Sequence, residues 1–501
     1  MKIEAVSYSI PYISVSMLIP LIFSLMIAFL KESYAKILAL ISASLNFLLS
    51  LYMIFLFDFS NTESVYFYES YPIIEELNIS FSVGFDGLSM LMFILTTLVS
   101  LVAIIWSLRD NQINHRLKEY YLAFLLTESF LIGVFASWDL ISFYVFYELT
   151  LIPMFFVIGI WGYKLRLYSA YKFFIYIFVS SLFLLAGIGG IASQHYKQFG
   201  EFSFNYFDLL SNEYGLYLEI FLFLLFFIAF AVKTPIVPFH TWLPDAHGEA
   251  PTAGSVVLAA ILLKMGTYAL LRFNIGLFPE ASKFLFPFLA LLGIFSIVYA
   301  SWMTIVQKNI KRFVAYSSVS HMGFVVTAMF LLNKVGFKAS IMEMFAHGLT
   351  SASLFMIAGF IYNRLHTFNM DNLRGAVKFM PVFAVIVAIT GFASMGLPGG
   401  SSFWGKFLTI LSAREYGMDL ATLVIVGGFF SAVYVLYMLK TLFLDVKEES
   451  VLVHFADVRG AKLLSFIGVI IPIFMVGFLP FLFFAFYENF IEFFIANILN
   501  R

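Results

Sequence analysis

The 501-residue chain is 62% hydrophobic and only 12% charged, with a formal net charge of -1. Soluble domains carry about 25% charged residues, so the composition excludes a soluble enzyme and leaves a polytopic membrane protein; the balanced charge gives no basis for nucleic-acid binding. Cysteine is absent, which excludes disulfides, thiolate-held iron–sulfur clusters and thiol chemistry.

A span needs roughly 20 mostly apolar residues. The first run, Ser9 to Leu30, is too long for a signal peptide and lacks a small-residue cleavage site, so it reads as a span. On the same rule the chain predicts about fourteen spans: 9–30, 36–57, 87–108, 119–137, 139–161, 169–193, 216–240, 253–273, 284–307, 312–332, 338–362, 380–413 (broken), 420–444 and 463–486. The longest polar stretches are 58–86, 194–215 and 445–462. The expected fold is an all-α polytopic membrane protein, one membrane domain over 1–501.

Lysine and arginine set the orientation. One set of loops carries Lys31 and Lys36; Arg109, Arg116 and Lys118; Lys164, Arg166 and Lys172; Lys308, Lys311 and Arg312; Arg364, Arg374 and Lys378; and Lys440, Lys447, Arg459 and Lys462. The 58–86 loop has no basic residue and carries Asp58, Glu63, Glu69, Glu75, Glu76 and Asp86. The basic set is expected in the cytoplasm, and an even span count puts both termini outside.

Two spans look broken. In the seventh, Lys233 precedes Pro235 and Pro238, which cannot donate to the carbonyls four residues back. In the twelfth, the run GLPGGSSFWGK (396–406) does the same with glycines and Pro398. Broken helices at matching positions are the mark of inverted-repeat transporters. Spans four to eight (119–273) are expected to form one five-helix repeat, and spans nine to thirteen (284–444) the other. One mismatch stands: Lys233 precedes its break, whereas Lys406 follows its own.

The spans also carry charge. A charged side chain at bilayer depth costs about 2.5–3.5 kcal/mol on insertion scales, yet Lys233 and Lys264 lie in consecutive apolar runs. Glu128 and Glu148 lie in spans four and five, His321 in span ten, Glu343 and His347 in span eleven and Lys406 in span twelve. Burial penalises the charged forms of lysine and glutamate, and a partner of opposite sign restores them. Histidine titrates near neutrality. Such groups, bridged by water, can pass protons across a membrane, and helix breaks hold water through freed carbonyls. The bland readings are a lone hydrogen bond for Glu128, a packed polar pair for Glu343 and His347 at i, i+4, and an interfacial snorkel for Lys406. His195, His240, His247 and His454 lie in loops or at span ends, off the expected path. The scattered histidines form no haem or metal site, and no glycine-rich nucleotide loop is present.

The run PFHTWLPDAHGEAPTAGSVVLAAILLKMGTYALLRF (238–273) closely resembles the antiporter-like membrane subunits of respiratory complex I, and its HTWLPDAHGEAPTAGS version the chain M, or subunit-4, branch. WDLISFYVFYELTLIPMFFVIGIWG (138–162), KRFVAYSSVSHMGF (311–324), FAHGLTSASLFMIAG (345–359) and GLPGGSSFWGKF (396–407) extend the likeness over nearly the whole chain. The resemblance implies a proton-pumping module with no cofactor and no metal, working in the membrane arm of an NADH–quinone oxidoreductase beside other antiporter-like subunits. It implies that Glu148 and Lys233 form a coupled pair near the inner proton inlet, that Lys264 is the central relay, and that His321 and His347 lie on the polar axis. One residue departs: chain M usually has glutamate at the twelfth-span break, as in FVGEF, where this chain has Lys406 in FWGKF. The expectation is a proton-translocating subunit in a bacterial cytoplasmic membrane, catalysing nothing alone. The alternatives are a subunit of a multi-subunit cation/proton antiporter or membrane-bound hydrogenase, or a membrane-arm scaffold with no proton path.

Overall fold

Several predicted spans open on a side chain able to satisfy the free N–H groups of a helix start. In the computed structural model, which describes residues 4–59, 64–110, 112–375, 377–444 and 456–499, Asp86 accepts from Ser89 N at 2.9 Å, Asp139 from Ile141 N at 2.9 Å, and Asn309 from Lys311 N at 2.9 Å. Lys447, Glu63 and His454 lie outside the described residues. So do the chain ends, on which the expectation for the termini rests.

Among the described residues thirteen helices are long and apolar enough to cross a membrane. They begin with α1 (Tyr12–Phe29), α2 (Ala35–Leu56), α3 (Gly87–Ser107) and α4 (Leu117–Ala136). The fifth span is α5 (Leu140–Leu149) continued by α6 (Leu151–Trp161), followed by α7 (Arg166–Phe199) and α8 (Leu216–Lys233). A short α9 (Leu243–Glu249) precedes α10 (Thr252–Ile275). Then come α11 (Pro279–Ile305), α12 (Ile310–Phe330) and α13 (Lys334–Leu365). The twelfth predicted span is two shorter helices, α14 (Pro381–Met395) and α15 (Ser402–Arg414), followed by α16 (Met418–Phe443) and α17 (Gly460–Phe478). The last predicted span, 463–486, stops early. Pro480 opens a separate α18 (Pro480–Phe494), because it has no N–H to continue the ladder.

The helices sort by burial. The apolar windows of α10 and α13 are wholly buried and that of α12 nearly so, whereas those of α1, α2, α7, α16 and α17 are mostly uncovered. Large apolar side chains such as Phe29, Phe55 and Phe288 point outward, as a lipid-facing rim requires. Lys264, His321, Glu343 and His347 all belong to the three innermost helices.

The expectation of an all-α chain needs one correction. The polar 58–86 loop folds into a hairpin: β2 (Ser64–Ile74) pairs antiparallel with β3 (Ile79–Phe85), with Tyr71 opposite Phe81. β1 (Glu4–Val6) adds in parallel to β2. The run SVYFYESY is rich in β-branched and aromatic residues, which suit a strand, and Asn78 takes the left-handed turn conformation at φ 50°. Glu69, counted as a loop acid, is buried and accepts from Ile13 N at 2.8 Å, fixing the start of α1. β1 and the hairpin thus lie on one face, and Asn489 of α18 reaches Phe59 O on the same face at 2.5 Å.

Candidate functional site

The first break obeys the proline arithmetic. α8 ends at Lys233; Pro235 and Pro238 then withhold two N–H groups. The carbonyls left over find other donors: Ile236 N reaches Ala231 O at 3.0 Å, and the Trp242 indole reaches Val232 O at 2.9 Å. Lys233 itself is fully buried and its ammonium makes no hydrogen bond to the protein. It lies 5.0 Å from the centre of the Tyr147 ring, a cation–π contact. Glu148 is within electrostatic range of Lys233, but no ion pair joins them within 4 Å, and one Glu148 carboxylate oxygen has no hydrogen-bond partner. The fifth helix is interrupted at Thr150, just past Glu148. α10 closes on this break. A Cβ on Gly266 would meet Thr234 Oγ1 at 2.4 Å, so only glycine allows that approach.

The second break has the same plan. α14 ends at Met395, Gly396 takes φ 91°, and α15 restarts at Ser402. Lys406 lies on α15 but turns back. Its ammonium donates to Ser394 O at 2.9 Å, Met395 O at 3.3 Å and Ser431 Oγ at 2.7 Å. Lys233 is thus the last residue of its first half-helix, and the Lys406 ammonium reaches the carbonyls that end its own, where the helix dipole favours a cation. The sequence mismatch between Lys233 and Lys406 disappears in space. Lys406 is 6% exposed, which removes the snorkelling alternative.

Between the breaks runs a line of buried groups. Lys264 Nζ donates to Ala259 O at 2.8 Å and contacts His347 Nδ1 at 2.7 Å. The His347 and His321 rings are 5.1 Å apart. His321 Nδ1 meets Glu343 Oε1 at 2.7 Å, and its Nε2 lies 3.3 Å from Ser394 Oγ. The carbonyl of Ser394 is then held by Lys406. Glu343 approaches α15 so closely that a Cβ on Gly405 would sit 2.4 Å from its Oε2. The bland alternative of a Glu343–His347 packed pair does not hold: each residue is bonded across helices, Glu343 to His321 and His347 to Lys264. Glu128 does not join the line. It accepts from Asn46 Nδ2 at 3.0 Å, the lone hydrogen bond weighed for it.

Some of the site was not visible in the sequence. α10 contains two wide π turns, Leu258–Leu262 and Leu270–Ile275, flanking Lys264; such turns recur at functional sites, and no proline announces them. His247, set aside as a span-end residue, is fully buried, stacks on Phe355 at 4.5 Å, and has no partner on either ring nitrogen. Lys311, counted among the loop cations, is fully buried as well. Arg272 pairs with Asp86 at 2.5 Å inside the opposite face. Among the described residues no group of three or more His, Asp or Glu is arranged to hold a metal.

Comparisons with known proteins bear on the whole chain. Residues 137–432 match the family model described as NADH:quinone oxidoreductase/Mrp antiporter, TM. The chain is 39% identical to NADH-quinone oxidoreductase subunit M of Rickettsia conorii, over 94% of its own length and 96% of that protein's. It is likewise 39% identical to NADH-ubiquinone oxidoreductase chain 4 of Marchantia polymorpha, over 92% of each. The fold superposes on a chain of the respiratory complex I of Thermus thermophilus with bound NADH, with a TM-score of 0.87, 29% identity and 97% and 99% coverage.

Proposed function

The chain belongs to the NADH:quinone oxidoreductase/Mrp antiporter membrane family, and on that premise we propose how it moves protons. It is a proton-translocating, non-redox subunit of the membrane arm of a complex I type NADH–quinone oxidoreductase, seated beside other antiporter-like subunits in a bacterial cytoplasmic membrane. The basic loops face the cytoplasm. Residues 119–273 and 284–444 are two inverted five-helix repeats, each carrying one broken helix and one ammonium at its break.

The observation that carries this reading is the buried line Lys264–His347–His321–Glu343/Ser394–Lys406, hydrogen-bonded except where the two imidazole rings face each other at 5.1 Å and where the Ser394 hydroxyl and carbonyl serve different neighbours. A scaffold gains nothing from it, since burying charge is costly unless it is paired. Two contacts, Lys264–His347 and His321–Glu343, are donor–acceptor pairs whose roles reverse when a proton passes; between the His347 and His321 rings a water carries it, and the Ser394 carbonyl only accepts from Lys406. A protonated Lys264 donates to His347 Nδ1; after transfer the neutral amine accepts. His321 can donate to Glu343 on one nitrogen and accept from Ser394 on the other, and a proton passing along the line exchanges those roles. Protons load from the cytoplasm at Glu148 and Lys233, pass through Lys264, and leave past Lys406. Electron transfer in partner subunits drives the cycle. The cation/proton antiporter alternative shares the fold and the lysines; the 39% identity over nearly full length to oxidoreductase subunits favours the first reading.

The test is proton uptake per electron in vesicles holding the intact complex, with and without Lys264→Arg. Arginine keeps the charge but does not release its proton. Loss of this subunit's share of pumping with an assembled complex is expected; wild-type stoichiometry would make Lys264 a fixed counter-charge and end the relay reading.

A further inference from the structure

The basic face has a second buried lysine with an approach of its own. Lys311 is in the first turn of α12, where a lysine ordinarily reaches solvent. Here it is fully buried. Its ammonium donates to Ala250 O, at the end of α9, and lies 4.9 Å from the Tyr163 ring and 5.4 Å from the Phe368 ring. Among the described residues no carboxylate is within 4 Å of it; the acids that face it at longer range are Glu249 and Asp110. An ammonium has three donors, and one carbonyl uses only one.

On the outer side of these rings is a cavity of about 440 Å³, lined by Tyr163, Glu249, Lys308, Tyr362, His366 and Phe368 among others. Its floor is aromatic: Tyr163 meets Tyr362 at 4.8 Å and Phe368 at 4.9 Å, and Tyr362 stacks on Phe368 at 4.3 Å. On the inner side is His247, four residues before Pro251, with two unpartnered ring nitrogens. It is within electrostatic reach of both Lys311 and Lys264. A buried imidazole with neither nitrogen satisfied is unusual and is suited to take and give a proton through an intervening water.

We propose that Lys311 and His247 form a second proton inlet from the basic face to Lys264, closed by the Tyr163–Tyr362–Phe368 rings, which bypasses Glu148 and Lys233. A proton leaves the Lys311 ammonium for His247 through water and moves on to neutral Lys264. The Lys311 amine is then reprotonated from the cavity when the rings part. No oxidant or reductant is needed. The inlet rests on the relay reading for Lys264 given above.

Three variants of the intact complex in vesicles test it, with a pH-sensitive dye in the lumen and assembly checked by native electrophoresis. Opening the floor with Tyr163→Ala is expected to raise the passive proton leak under an imposed pH gradient by about tenfold, a barrier change of roughly one rate decade. Adding Lys311→Met to Tyr163→Ala should return the leak to the parent level. Lys311→Arg, which preserves charge, should lower proton uptake per electron while quinone reduction continues. A leak unchanged by Tyr163→Ala, or not cancelled by Lys311→Met, overturns the inlet. So does full proton uptake in Lys311→Arg. These failures leave the relay reading intact if Lys264→Arg still stops pumping; a normal Lys264→Arg defeats the relay instead.

Discussion

Lys233 ends the first half of one broken helix and Lys406 reaches back to the first half of the other, and the protein treats them differently. Lys406 is held by two carbonyls and a hydroxyl. Lys233 has only the face of Tyr147, with Glu148 in range but not in contact. A buried ammonium that keeps its hydrogen bonds is stable as a charge; one that lacks them depends on a mobile partner or on losing its proton. The difference suggests a division of labour. On the proposed path, the first break would hold a charge that is switched, and the second one that also seals a helix end.

The largest effect should come from neither break but from the residue between them. Lys264→Ala removes the ammonium that touches His347 and cuts the line in its middle. Proton uptake assigned to this subunit should fall by at least about tenfold, equivalent to a barrier rise of 1.36 kcal/mol or more. Vesicle pumping with matched quinone reduction measures it. If uptake persists, the two breaks communicate by another route and their comparison loses its premise.

Next is Lys406. Lys406→Ala leaves Ser394 O, Met395 O and Ser431 Oγ without their donor, and each unsatisfied buried group costs about 1–3 kcal/mol. Both pumping and the thermal stability of the complex should drop. Lys406→His retains a cationic donor and should retain more pumping than Lys406→Glu. The glutamate would join Glu343 near one site, and two acids oppose each other's ionisation. Equal, near-normal pumping in all three variants would deny the exit role.

Lys233 should separate the two quantities. Lys233→Met deletes a charge that has no hydrogen bond to lose, so stability should hold or rise by about 1 kcal/mol, as when apolar residues replace buried charges, while pumping falls to the share that the Lys311 inlet carries. Glu148→Gln should match it in pumping. A Lys233→Met complex as unstable as Lys406→Ala would show that the two lysines are held alike, and the proposed division would fail.

The sequence foretold much of this, for identifiable reasons. Long apolar runs made the spans legible, and prolines and glycines marked both breaks, because backbone arithmetic is local. Charges at bilayer depth stood out for the same reason. Partners did not. Glu343 and His347 share a helix face, yet each bonds to another helix, since pairing across helices depends on how α10, α12 and α13 pack. Lys311 was read as a loop cation because hydropathy windows place a boundary without saying what covers it. The strands of the 64–85 hairpin were hidden by acids that made the segment look like a loop. The π turns around Lys264 have no local marker among AGSVVLAAILLKMGTYALLRFNI.

The smallest effect carries the same comparison outside the spans, to Asp110. Like Lys233 it is a buried ionisable group with an unsatisfied atom: among the described residues Oδ2 has no hydrogen-bond partner, and Oδ1 accepts from Gln112 N at 3.2 Å. Burial raises its carboxyl above the ordinary range, against the opposing pull of the Gln112 N–H and the Lys462 charge. A carboxyl raised in the folded state favours the protonated form. Its contribution to stability is therefore full below the unfolded value of about 3.9 and declines as pH rises through the folded value. Asp110→Asn removes the charge and this pH dependence together. The variant should be slightly more stable than the parent at pH 7, by less than about 1 kcal/mol, and the gain should shrink as pH falls toward 4. Thermal unfolding of the purified complex across that range measures both. A gain that stays constant with pH would assign the effect to packing, and the view that an unmet hydrogen bond marks a costly buried charge would then have to rest on Lys233 alone.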